Sequence, residues 1–267
     1  MAAFTVRIGL EIGDGDASQR LASDAVRSHM RILRGAIGSL VITTYPSEPI
    51  LAIAAARSLN SSPADYKKAI GTLLDRLVLR GLVVDRGMQG ELCCRLLLTL
   101  ARDKAVSSFM QQDVHSPEGP KVQAVELSLF LQALLGEDLG VPRDKILRAE
   151  FLNSVQGIWI NFTHFVQLTQ PLDEMTPSFL REAWSSGIAF QCAFLQPVID
   201  GFFVGYDGDL HKQFDISKLV IISWQSKVKS QAAAATLVDA LTSPPIVEES
   251  NSKSIGGSQM LLSYSWI

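Results

Sequence analysis

Two apolar runs around a polar connection constrain this chain more than any other stretch. They are "VIDGFFVGY" at 198–206 and "LVIISW" at 219–224, joined by "DGDLHKQFDISK" at 207–218. Apolar runs of this length bounded by turn residues read as buried strands. A short polar connection carrying Gly208 makes them antiparallel neighbours. The midpoint of the connection falls between residues 212 and 213, so a symmetric pairing sets Asp200 opposite Gln225. Opposed residues share a face, and a strand repeats every two residues. Asp200, Gln225 and Lys227 are therefore expected together at one end of the sheet, on one side.

The remainder divides by periodicity. Residues 17–37 place Leu21, Ala25, Met30, Leu33 and Ile37 at helical spacing. A second helix restarts after Pro46, with Ser47 as its cap. A third carries the stripe Ile70, Leu73, Leu74, Leu77 and Val78 up to Gly81. "GELCCRLLLTLARDKAVSSFM" and "VQAVELSLFLQALLG" make a fourth and fifth, separated by a Pro/Gly-bearing loop. Beyond "EDLGVPRD" the character changes. "GIWINFTHFVQL" alternates, with Ile158, Ile160, Phe162, His164, Val166 and Leu168 expected on one face of one strand. "TPSFLREAWSSG" is a short helix with Thr176 as cap, Pro177 behind it and Gly187 as stop. "IAFQCAFL", apolar on both faces, suits a central strand. "SQAAAATLVDALT" is helical by its alanines.

The expected class is α+β: a helical N-terminal module over 1–140, an α/β domain with a small mixed sheet over 141–242, and a linker-like tail over 243–267.

Composition excludes several classes. Hydrophobic residues make up 47% of the 267 and charged residues 19%, values of a globular chain with a core. A net charge of −3 carries no global signal for nucleic acid, so any such contact needs a local basic patch. Cys93, Cys94 and Cys192 suggest a reducing compartment with no disulfide framework, and their spacing suits no cysteine-based zinc site. No apolar run reaches membrane-spanning length, and no secretory leader opens the sequence. An intracellular setting follows, with nucleus and cytoplasm both open and no membrane partner expected. Phosphate-binding Gly-rich loops, G-x-S-x-G and H-E-x-x-H are missing, which leaves nucleotide-binding folds, serine hydrolases and zinc proteases without support.

The acid, amide and amine have a joint chemistry. A carboxylate and an amide oxygen can both ligate a hard cation such as Mg²⁺. A lysine two residues along can orient water or stabilise a developing phosphate charge. Asp200 with "Q-S-K" at 225–227 resembles the PD-(D/E)XK nuclease superfamily, the restriction-endonuclease-like fold, across roughly residues 145–242. The order of helix, three strands and helix matches that core. The resemblance implies Asp200 and Gln225 as ligands of Mg²⁺ or Mn²⁺, Lys227 as the catalytic lysine, and Glu182, on the first core helix, as a further carboxylate. It implies DNA or RNA as substrate. Gln225 stands where the family usually has an acid, which removes one negative charge from the site. The runs "GELCCRLLLTLARDKAV" and "INFTHF" are similar to those of fungal proteins with a nuclease-like C-terminal half.

Structural readings compete at each residue. Asp200 could form a salt bridge to Lys227, Lys227 and Lys229 could face solvent, and Glu182 could sit on the surface beside Arg181. Gln191 and Gln196 could support the site or be satisfied amides at strand ends. His164 reads as a hydrogen-bonded core histidine, Cys93 and Cys94 as packing residues, and "DGD" at 207–209 as a turn. The alternative function is a catalytically inactive, nuclease-like binding or scaffold protein whose helical module contacts a protein partner. A winged-helix reading of "PADYKKAIGTLLDRLVLRGLVVDRG" is weaker, because its stripe is leucine and groove readers need exposed polar side chains.

Overall fold

The computed structural model describes residues 6–9, 20, 23, 26–27, 32–37, 40–44, 49–60, 63–75, 86–112, 124–135, 153, 155–168, 175–192, 199–228, 246–247 and 259–266. The chain is mixed α and β. Strands β1 (Ile32–Ile37) and β2 (Leu40–Thr44) form an antiparallel hairpin across a two-residue connection, with a bulge between Leu33 and Gly35. The helix expected over 17–37 therefore stops short of Ile32. Gly38–Ser39 followed by β-branched "VITT" is a hairpin signal, and it overrides the helical spacing upstream.

Helices α1 (Pro49–Asn60), α2 (Pro63–Leu74), α3 (Arg86–Gln112) and α4 (Leu127–Leu135) follow the expected order. The expected cap Ser47 and the stretch 76–85, which holds Leu77, Val78 and Gly81, lie outside the described residues. The N-terminal part is not helical alone, for it holds the hairpin and the two-residue strand β3 (Val125–Glu126).

Among the described residues the principal sheet has eight strands: β3, β4 (Ile158–Ile160), β5 (His164–Gln167), β6 (Ile188–Gln191), β7 (Gly201–Asp207), β8 (Leu219–Val228), β9 (Ile246–Val247) and β10 (Gln259–Trp266). The pair β7–β8 is antiparallel, with Gly201 opposite Trp224 and Tyr206 opposite Leu219. That is the symmetric register expected from the polar connection. β6 lies antiparallel on the other side of β7, and β5 lies parallel to β6, so β6 is interior as its two apolar faces require.

"GIWINFTHFVQL" is two strands rather than one. β4 pairs with the far half of β7, and the chain then steps outward around β6 before resuming as β5. The step is held against the end of helix α5 (Pro177–Ser186). The Thr163 amide donates to Gly187 O at 2.8 Å, and Asn161 Nδ2 donates to Trp184 O at 2.6 Å. The break shifts the pleat, so Phe165 shares the cluster of Ile160 and Phe162, while Leu168 joins the opposite one.

Helix α5 has the anticipated ends. Thr176 accepts from the Phe179 amide, Pro177 opens the first turn, and Gly187 closes the helix at φ +60°. A hydroxyl at the cap and an achiral residue at the left-handed stop are what a short ten-residue helix needs.

The segment 243–267, expected as a linker-like tail, contributes β9 and β10. β10 lies parallel to β8, from Gln259 opposite Ile221 to Trp266 opposite Val228. Parallel neighbours need a crossover connection of a dozen residues or more. Residues 229–258 supply it, and the alanine-rich run expected as a helix falls there, outside the described residues except for β9.

Two apolar clusters cover the two faces of the sheet. Cys94, Leu98, Ala101, Ala105, Phe130 and Leu131 from α3 and α4 meet Phe203, Ile222 and Trp224 on one face. Leu180, Ala183 and Trp184 from α5 meet Phe202, Val204, Tyr206 and Leu219 on the other. The first cluster draws on residues both before and after 140.

Candidate functional site

The candidate residues sit where β7 begins and β8 ends. The paired register runs from Tyr206 opposite Leu219 to Gly201 opposite Trp224 and ends one position short of Asp200. The ladder itself changes there. The Asp200 amide donates to Trp224 O at 3.0 Å, and its carbonyl accepts from the Cys192 amide at 2.8 Å. Its main chain is thus committed to strands on both sides. The carboxylate does what a strand carbonyl would otherwise do on β8: Asp200 Oδ2 accepts from the Ser226 amide at 2.5 Å and from Ser226 Oγ at 2.7 Å. A carboxylate between apolar strands needs such donors.

Asp200, Gln225 and Ser226 are half-buried, so this corner is neither sealed nor freely solvated. Lys227 continues β8 two positions after Gln225, and its side chain lies outside the described residues. Gln196 and Lys229 also lie outside them. Glu182 is exposed on α5, which turns Leu180, Ala183 and Trp184 toward the sheet.

Gln191, at the end of β6, donates from Nε2 to Glu91 Oε2 of α3 at 2.9 Å. That contact brings an unanticipated carboxylate to the corner. Both acids are felt by nearby thiols. Burial first, then the Asp200 and Glu91 charges, push Cys192 up to about 12. Burial, then Asp200, holds Cys94 well above the ordinary thiol range, and burial raises Cys93 to about 11. These are protonated packing residues and not nucleophiles.

Sequence reasoning missed Glu91 and Ser226. A signal existed for the first: Glu91, Arg95, Thr99 and Arg102 recur at three- and four-residue spacing inside a leucine-rich helix, a polar stripe on one face. Ser226 had none beyond its place between Gln225 and Lys227.

The donors fit a hard cation in kind. Asp200 and the amide oxygen of Gln225 are oxygen ligands, and Mg²⁺ commonly takes one or two carboxylates, several waters and substrate phosphates. Among the described residues, no three His, Cys, Asp or Glu side chains gather as a metal cage. No helix of the described residues is long and apolar enough to cross a membrane. No protein-family profile, curated protein or solved structure matches the chain.

Proposed function

We propose that this chain is a metal-dependent phosphodiesterase acting on nucleic acid through a restriction-endonuclease-like core. One observation carries the reading: the half-buried Asp200 carboxylate grips β8 at Ser226, between Gln225 and Lys227. The succession α5, β6, β7, β8, with three antiparallel neighbours, supports it as well.

In this reading Asp200 and the amide oxygen of Gln225 hold Mg²⁺ or Mn²⁺. An ion held there would supply Lewis-acid chemistry to a phosphoryl oxygen and a water. Lys227 places positive charge beside the phosphate. With Gln225 neutral, the ion is held by one negative charge fewer, so millimolar metal is expected to be needed. The test is incubation of the purified chain with single- and double-stranded DNA and RNA in Mg²⁺ or Mn²⁺. Cleavage is expected, and Asp200→Ala or Lys227→Ala should abolish it with the circular dichroism spectrum unchanged.

A second reading rests on the same contact. An Asp200 carboxylate occupied by two Ser226 donors performs a structural task that needs no metal. The chain would then be a catalytically inactive binding protein, with the helices before residue 140 available to a protein partner. Absence of cleavage on every substrate and metal would leave this one standing.

A further inference from the structure

Residues 6–9 lie deep in the molecule, with Val6, Arg7 and Ile8 at most 1% exposed. Polar contacts hold the segment from two sides. Arg7 Nε donates at 3.1 Å to Thr163 O, the carbonyl of the peptide bond that leads into His164. The same guanidinium pairs with Asp103 of α3, and Arg95 of α3 donates to the carbonyls of Ile8 and Gly9. His164, in β5 opposite Ile188 of β6, is itself buried. The single proton of the Thr163 hydroxyl goes to Gly187 O at 3.2 Å. Nδ1 of His164, 2.9 Å from that hydroxyl, is then the donor to Oγ1, and Nε2 is left as a bare lone pair. Nε2 has no hydrogen-bond partner. A proton placed there would find no acceptor and would stand beside the Arg7 charge. The charged groups of the elements around this contact are Arg7 from the segment and Arg95, Arg102 and Asp103 from α3, while β6 and the end of α5 meet it with the uncharged Ile188 and Gly187.

We infer that His164 is an acid-sensitive latch on the N-terminal segment: protonated at Nε2, it repels Arg7 and loosens residues 6–9 from β5 and α3 ahead of the rest of the sheet. This goes beyond the metal-dependent reading and does not rest on it. Opening the segment removes Arg7 and admits water to Nε2, and it uncovers Asp103 and Arg95 of α3. Burial first, and then Arg7, hold the docked imidazole down to about 4, against an ordinary value near 6.5 once water reaches it. The neutral form is therefore the docked one. Docking is complete above the ordinary value and weakens as pH falls toward 4. Proton uptake on opening favours the open form by up to about 70-fold more at pH 4.5 than at pH 7.5.

The test is hydrogen exchange on the full chain, read by mass spectrometry and corrected for the intrinsic rate at each pH. Peptides covering residues 6–9 are compared with peptides of β7. Between pH 7.5 and pH 4.5 the protection of residues 6–9 should fall by up to about 70-fold, and at pH 4.5 they should exchange faster than β7. His164→Asn keeps a side-chain amide for Thr163 and takes up no proton, so its residues 6–9 should lose little protection over the same range. An equal loss in His164→Asn assigns the sensitivity to another group, Asp103 foremost, and overturns the inference. Residues 6–9 and β7 exchanging at one rate in acid means that the chain opens as a whole, which overturns it too. If His164→Asn does not fold, titration of the imidazole in the natural chain by nuclear magnetic resonance decides. A His164 that stays neutral at a pH where residues 6–9 have already opened is not the latch.

Discussion

His164 shows what the interior asks of single residues. It is buried at 2% exposure. Its Nδ1 meets Thr163 Oγ1 at 2.9 Å, and its Nε2 has no hydrogen-bond partner among the described residues. Burial first, and then the Arg7 charge, lower its pKa to about 4. The unfolded chain therefore takes up the proton before the folded one does. Stability from this group is complete above the ordinary value near 6.5 and is lost as pH falls toward 4. The shift is worth about 3 kcal/mol at its limit. Urea midpoints measured between pH 7.5 and pH 4.5 should fall more steeply for the natural chain than for His164→Gln. Parallel slopes would remove His164 from the acid sensitivity.

At the scale of elements, the start of β7 depends on a residue with no side chain. A Cβ at Gly201 would meet the main-chain oxygen of Phe190 and the Trp224 ring, whose Cζ2 would lie 2.5 Å away. Neither neighbour can give way: one is the backbone of β6, the other a fully buried indole. Gly201→Ala should therefore wedge β6 from β7 and cost about 3 kcal/mol, at the upper end for overpacking. Because Asp200 is the next residue, cleavage and Mn²⁺ binding should decline with stability, as activity assays and thermal melts on one preparation would show. Thr176 gives a local contrast. Its hydroxyl caps α5 by accepting from the Phe179 amide, so Thr176→Ala should cost about 1 kcal/mol, read from urea midpoints, without changing metal affinity.

For the whole molecule, the N-terminal segment fastens α3 to the sheet. Arg7 is fully buried and reaches Asp103 bidentately at 2.5 and 2.7 Å, while its Nε donates to Thr163 O at 3.1 Å. Arg95 Nη1 donates to the carbonyls of Ile8 and Gly9 at 2.6 and 3.0 Å. Arg95, in the polar stripe of α3, is thus met by main chain from Ile8 and Gly9. Removing one member of a buried ion pair strands the other, and Arg7→Met should cost about 3 kcal/mol or more. Adding Asp103→Leu should recover only part of that loss, because Asp103 also pairs with the buried Arg102 at 3.7 Å. Denaturant curves for the two single variants and the double one give the coupling directly. A double variant no better than its worse parent would refute the pairing as the source of the loss.

Local signals wrote much of this architecture into the sequence. The cap, proline and glycine of α5, the apolar length of α3, and the equal arms around residues 207–218 each follow from forces acting within a few residues. The β7–β8 register from Gly201 to Tyr206 was legible for that reason. Packing across the chain decided the rest. The β5 step around β6 depends on a strand inserted later in the sequence, and β10 pairs with β8 across a gap of thirty residues. Likewise, no local pattern could bring Glu91 to Gln191, 100 positions away, or spend one oxygen of Asp200 on Ser226. Such contacts are chosen by the burial of polar groups that must find partners wherever the folded chain places them.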